Sequence, residues 1–276
     1  MTHRAAAFLA ALCVACASAY AQDGGGPPPG ATVGPPSAQI TVGPAIAVNA
    51  QPYEAGDGAR LFPIPLLSYR RGRFAFFGTQ ATADLTAVGP VQVAALAAWR
   101  FQSYDQNDSP VLAGMADRDG TLDLGAQATM ALSDRMDLAV SARGDAFGRH
   151  GGYEVEAQIA YELADGRAVS LRPQAGVRYQ SASLTDYYFG VEPDEAAVLD
   201  GLDGDPAPFL RPAYEAGDAW VPFVGAVGRV PVSRRVSVFG LTSYALLPDA
   251  ITDSPIVGQS GQVFALLGAT YTFGGR

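Results

Sequence analysis

The sequence predicts an all-β fold, a transmembrane antiparallel up-and-down β-barrel of about 10–12 strands. Three observations predict it. Apolar and polar residues alternate strictly along several long segments, the connections between them are alternately very short and long, and no apolar run after the N-terminal segment is long enough for a membrane helix.

The alternation is clearest in the middle of the chain. Over Thr121–Ser133, Leu122, Leu124, Ala126, Ala128, Met130 and Leu132 share one face, opposite Thr121, Asp123, Gly125, Gln127 and Thr129. Segment 135–147 sets Met136, Leu138, Val140, Ala142 and Ala146 against Arg135, Asp137, Ser141, Arg143 and Asp145. Segment 153–163 sets Tyr153, Val155, Ala157, Ile159, Tyr161 and Leu163 against Glu154, Glu156, Gln158 and Glu162. Segment 169–181 repeats the pattern, with Val169, Leu171, Ala175, Val177 and Tyr179 against Ser170, Arg172, Gln174, Arg178 and Gln180. A period of two places the sets on opposite faces of a strand. A tilted strand needs about 9–11 residues to cross a bilayer, whereas soluble strands cluster near 5–6. These runs have membrane length. A soluble β-sandwich, the competing class, also alternates, but with shorter strands.

Counting back from the C terminus gives strands at 262–273, 235–247, 219–231, 168–182, 152–163, 135–147, 121–133, 90–102, 73–87 and 58–70. Segment 39–50 is also extended, with Pro44 interrupting its ladder. If it joins the wall, an even count requires a twelfth strand, for which 209–216 is the candidate. Both termini and the short turns then share the periplasmic side, and the long connections 103–120, 183–218 and 249–260 lie outside. Trp99, Phe101, Tyr153, Tyr161, Tyr179, Tyr244, Tyr271 and Phe273 fall near strand ends, where amphipathic rings meet a membrane interface.

The N-terminal segment reads as a secretory signal: Arg4, an apolar stretch from Ala5 to Ala17, then small residues, with cleavage expected after Ala21 or alternatively after Ala19. Both cysteines, Cys13 and Cys16, fall inside it, so the mature chain is expected to hold no disulfide or thiolate metal site, and neither flank makes a good lipobox. A Pro/Gly-rich leader follows at 22–38, and the barrel occupies 39–276. A formal net charge of −9, with Arg70-Arg71-Gly72-Arg73 as its basic cluster, argues against nucleic-acid binding.

If the apolar faces meet lipid, the candidate lumen charges are Asp123, Asp137, Asp145, Glu154, Glu156, Glu162, Arg100, Arg135, Arg143, Arg172 and Arg178. Acids and bases are nearly balanced on neighbouring strands. That balance suits an ion-pair lattice filling a narrow barrel better than an open selective pore. The surplus acidity lies in the long loops, at Glu192, Asp194, Glu195, Asp200, Asp203 and Asp205, where solvation is the default role. The mature chain has one histidine, His150, within a glycine-rich turn, and no local serine or acid spacing makes it a catalytic base. No catalytic residue, cofactor or metal is expected.

Several stretches resemble the MipA/OmpV family of outer-membrane proteins. They are Phe62-Pro63-Ile64-Pro65-Leu66-Leu67-Ser68-Tyr69-Arg70, Leu112-Ala113-Gly114-Met115-Ala116-Asp117-Arg118-Asp119 and Thr185-Asp186-Tyr187-Tyr188-Phe189-Gly190-Val191. Asp253-Ser254-Pro255-Ile256-Val257 and the closing Tyr271-Thr272-Phe273 extend the likeness. The resemblance implies a Gram-negative outer-membrane barrel in contact with lipid. It also implies, as the family's best-known role, a scaffold between a lytic transglycosylase and a bifunctional peptidoglycan synthase. Other members are discussed as porin-like proteins or adhesins, so a narrow channel or receptor for small solutes, or a surface adhesin, is the alternative. The motifs fall mainly in loops that the strand count puts outside the cell, whereas a murein scaffold must work in the periplasm.

Overall fold

The computed structural model describes residues 38–50, 52–54, 59–165, 169–200 and 207–273. The expected signal and most of the leader lie outside the described residues, as do Asp203 and Asp205. The wall is a closed antiparallel barrel. Its strands are β1 (Gln39–Ala50), β2 (Ala59–Arg71), β3 (Phe74–Phe77), β4 (Gln80–Val88), β5 (Val91–Arg100), β6 (Thr121–Ser133), β7 (Met136–Asp145) and β8 (Tyr153–Tyr161). After the two-residue β9 (Ala164–Asp165) come β10 (Ser170–Gln180), then, beyond a short hairpin of β11 (Ala197–Leu199) and β12 (Phe209–Arg211), β13 (Ala219–Pro231), β14 (Val236–Leu246) and β15 (Gly261–Phe273). β15 pairs with β1 and β13 with β10, which closes the ring, while β9 adds two pairs at the foot of β10. Leaving out β9 and the separate β11–β12 hairpin, the barrel has twelve staves.

The twelfth stave is not where the sequence placed it. Segment 209–216 contributes β12, which pairs with β11 in a separate hairpin above the wall. The extra strand comes instead from segment 73–87, which is two strands folded back at Gly78-Thr79. Gly78 has φ +59°, a conformation glycine adopts without the Cβ penalty, so the chain reverses there. The expected break at Pro44 is present: the β1–β15 ladder pairs Val42 with Tyr271 and resumes at Ala45 with Gly268.

The chain enters and leaves at one end, with the short turns at 72–73, 89–90, 134–135 and 232–235; the long connections gather at the other. Outward side chains form an apolar belt that includes Ile46, Leu67, Leu124, Val140, Ile159 and Leu267, all exposed. Aromatic rings border it at both ends. At the loop end Tyr153, Tyr179 and Trp220 run in contact, with centroids 5.9 and 5.1 Å apart, and Trp99 meets Phe101 and Phe147. At the turn end Tyr271 packs on Phe273 at 4.6 Å. These are the interface girdles of a membrane barrel.

Inside, the barrel is two-faced. From β6 to β10 the inward residues are mostly polar, as the alternation predicts, and β5 adds Arg100 above buried Leu96 and Ala98. From β13 through β15 to β1 and β2 the middle of the lumen face is mainly apolar, with Val221, Phe223, Phe239, Leu241, Phe264 and Leu266 all buried, while polar residues such as Thr41, Arg70, Arg229 and Thr272 line it toward the turn end.

Candidate functional site

Three features of this scaffold carry chemistry: the charged lattice on the polar arc, the cap above it, and the basic turn end. In the lattice, Arg100 Nη2 donates to Asp123 Oδ2 at 2.6 Å and its Nη1 to Glu154 Oε2 at 3.3 Å. Arg143 reaches across the same two acids, donating to Glu154 Oε1 and lying 3.5 Å from Asp123 Oδ2. All four side chains are almost wholly buried. One step down, Arg178 donates to Glu156 at 2.7 Å and lies over the Phe223 ring, 4.4 Å from its centroid. Near the turn end Arg172 donates to Asp137 at 2.6 Å. These eight charges come from β5, β6, β7, β8 and β10, whose register sets Asp123, Asp145, Arg143 and Glu154 side by side.

Three of the sequence candidates play other parts. Asp145 sits at the top of β7 outside the ion-pair lattice: its carboxylate accepts from Thr121 Oγ1 and from the backbone N–H groups of Phe147, His150 and Gly151, and so shapes the loop to β8. Arg135 is exposed in a turn-end hairpin, and Glu162 follows β8 beside it, its backbone N–H bonded to Arg135 O. Both lie beyond the wall strands, which end at Met136 and Tyr161.

His150 shows what the local reading of its turn missed. Its Nδ1 accepts from Gly152 N–H at 3.0 Å, and Nε2 lies 3.4 Å from Asp123 Oδ1, with Tyr187 and Tyr188 packed over the ring. It therefore joins the lattice below to the cap above. The partner that would have revealed this, Asp123, is distant in sequence.

The cap is the folded form of the long connections. A helix at Ala182–Phe189, a 3₁₀ turn at Pro110–Leu112 and a short helix at Asp249–Thr252 pack together in the mouth. Val111, Leu112, Tyr188 and Ile256 are completely inaccessible, and this core is continuous with the apolar arc of the lumen. Arg118 forks onto both oxygens of Glu195 at 2.9 Å, so Glu195 is not a solvating loop acid. Buried Arg211 donates to the carbonyls of Val111, Ala113 and Glu195. Tyr53 Oη donates to Tyr188 O, Tyr188 Oη to Asp119 O and Ser254 Oγ to Phe189 O. Burial pushes the Tyr53, Tyr104 and Tyr188 hydroxyls above the usual phenol range, which keeps them neutral in this setting. Glu192, Asp194 and Asp200 remain exposed on the outside of this assembly.

The stretches that carried the family resemblance are therefore structural. Leu112, Met115, Arg118, Tyr188, Phe189, Ile256 and Val257 come from three separate loops and meet in one core. They pack the loop end with a buried core.

A closed twelve-stave barrel with two aromatic girdles and an apolar outer belt is an outer-membrane protein. Residues 42–273 match the family described as MltA-interacting protein MipA, and the chain belongs to that family. It is 30% identical to outer membrane protein Omp26La of Vibrio anguillarum over 72% of this chain and 76% of that one. It is 25% identical to the MltA-interacting protein of Escherichia coli (strain K12), covering 85% of this chain and 90% of that one. Among solved structures it overlays on the Ralstonia pickettii toluene transporter TbuX with TM-score 0.42 and 11% identity, covering 88% of this chain and 90% of that one.

Barrels of this class place short turns in the periplasm and long loops outside. Exposed Asp194 provides a readout of that orientation. In whole cells a cysteine at Asp194 (Asp194→Cys) will react with a membrane-impermeant maleimide. Labelling only after envelope disruption would invert the topology.

Proposed function

We propose that the protein is a non-enzymatic envelope component that holds a murein-processing partner, of the lytic transglycosylase and peptidoglycan synthase kind, against the outer membrane through its turn end. The observation that carries this is the sign of the charge there. In a chain of net charge −9, Arg71, Arg73, Arg135, Arg234 and Arg235 are all exposed at that end, against Asp134 in the turns 72–73, 89–90, 134–135 and 232–235 and Glu162 just after β8. Such a ring of fixed cations attracts an acidic protein face and disfavours a basic one. A relative is named for interaction with MltA, which agrees with a periplasmic partner. The sealed cap and the paired lattice weigh against a freely open solute channel, and the acidic loop end leaves an adhesive role as the second reading for the outer face.

The test is envelope crosslinking followed by identification of captured proteins. Unaltered protein should capture a murein hydrolase or synthase. Reversing the five arginines to glutamate should reduce that capture at least tenfold while heat-modifiable mobility is retained. The proposal fails if unaltered protein captures no murein enzyme, or if capture is unchanged by the reversal, as it would be if these arginines only meet lipid phosphates.

A further inference from the structure

The wall is incomplete on one side. β2 pairs with β1 along its whole length, but with β3 only through Ser68–Arg71, and β4 pairs with β3 only through Gln80–Ala83. The last bond at this seam is Gly78 N–H to Leu67 O at 2.9 Å. Above it, β2 continues through residues 59–66 with no strand on its β3 side among the described residues. At about 3.3 Å per residue this is roughly 26 Å of unpaired strand edge along a tilted stave. The β3–β4 hairpin thus leaves a notch in the loop-side half of the wall, between β2 and the end of β5.

An unpaired edge in a bilayer is costly, because its N–H groups find no partner there. The sequence of β2 is adapted to it. Leu67 directs its carbonyl to Gly78, so the residues of the same parity, Ala59, Leu61, Pro63 and Pro65, present their backbone groups to the notch. Two of these four are prolines, which have no N–H to leave unsatisfied. Leu61, Pro63, Pro65 and Leu67 point their side chains outward, where they are exposed. Ile64 and Leu66 point into the apolar arc of the lumen.

At the foot of the notch lies a cavity of about 120 Å³. Leu66, Phe77 and Phe239 form its apolar part, and Arg70 and Arg229 are its charged lining residues, with no acid among them. Arg229 is held by a 3.0 Å bond from Nε to Ser237 Oγ, and Arg70 has no hydrogen bond or ion pair among the described residues. A space of this size takes an anionic head group. Leu66 and Phe77 flank the start of the notch, which gives a long chain behind that head a way out.

We propose that this cavity and the notch form one binding site for a long-chain fatty acid. The carboxylate sits between Arg70 and Arg229, and the chain passes Phe77 and Leu66 into the notch against the lipid. The cap closes the route past the loops, so movement between this site and the membrane is sideways. The site is independent of the partner surface, whose arginines are different residues.

The experiment uses the mature protein in lipid nanodiscs with palmitate bearing a terminal diazirine. Labelling should saturate and map to the peptides containing Leu61–Leu67 or Trp99. It should be competed by palmitate, but not by hexanoate or hexadecyltrimethylammonium at equal concentration. The double variant Arg70→Gln/Arg229→Gln should bind at least tenfold more weakly. Ser68→Trp, which fills the cavity and keeps both arginines, should do the same if the double variant does not fold. Non-saturable labelling, labels spread evenly around the barrel, or equal binding by a folded variant would overturn the proposal.

Discussion

Glu154→Ala will unfold the barrel at a much lower temperature than any surface substitution, by the equivalent of about 3–5 kcal/mol. Glu154 is 2% exposed and receives Arg100, Arg143 and the amide of Gln180, the last at 3.0 Å. Removing it leaves two guanidinium groups facing one remaining carboxylate, Asp123, in a water-poor interior. The penalty is that of a buried charge without its counterion, which exceeds the value of the pair itself. Glu154→Gln keeps the hydrogen-bonding shape and loses the charge, so it should fall between the two. The double variant Arg100→Met/Glu154→Leu removes one charge of each sign and leaves Arg143 with Asp123. It should be less damaging than the sum of its single changes, with the difference giving the coupling. The midpoint of the heat-modifiable shift on SDS gels, measured for each variant, checks this. Equal midpoints for Glu154→Ala and the parent protein would mean that the lattice does not hold the staves together.

How much of this could be read from the chain depends on how local its physics is. β6, β7, β8 and β10 were legible because lipid on one face and the ion lattice on the other force strong contrast between successive residues. β14 and β15 show less contrast. Phe239, Leu241, Phe264 and Leu266 face inward and are as apolar as the residues facing lipid, so the sequence does not announce a lumen there. The β3–β4 hairpin escaped because β3 is only four residues long and only Gly78-Thr79 separates it from β4. Eight of the eleven candidate charges lie in the lattice, yet their pairing was not legible, since Arg100 and Glu154 meet across 54 positions. The cap was the least legible part. Its contacts join residues about a hundred positions apart, such as Arg211 with Val111, and a loop read on its own composition shows only polarity.

That long-range character makes Arg211 the sharpest test of the cap. Arg211 is 2% exposed and ties the 3₁₀ turn, the Ala113 backbone and the Glu195 turn together. Its planar fork satisfies three carbonyls at once, two bonds of 3.1 and 2.7 Å going to Glu195 O alone. Arg211→Ala would strand these acceptors in a packed core, at about 1–3 kcal/mol for each group left unpaired. The staves are held separately, by their ladders and the lattice, so the loss should fall on the cap rather than on the barrel. The expected result is a protein that still shows heat-modifiable mobility but is cleaved by external protease within 101–120 and 181–218 on whole cells. In planar bilayers, where the parent should be silent, the variant should conduct, because the mouth has lost its seal. Arg211→Lys should behave nearly like alanine, since an ammonium cannot span the three carbonyls as a guanidinium does. A variant that stays protease-resistant and silent would show that the apolar core of Leu112, Tyr188 and Ile256 seals the mouth unaided. Conductance by the parent protein would instead mean that the cap opens on its own, and would return the channel reading to first place.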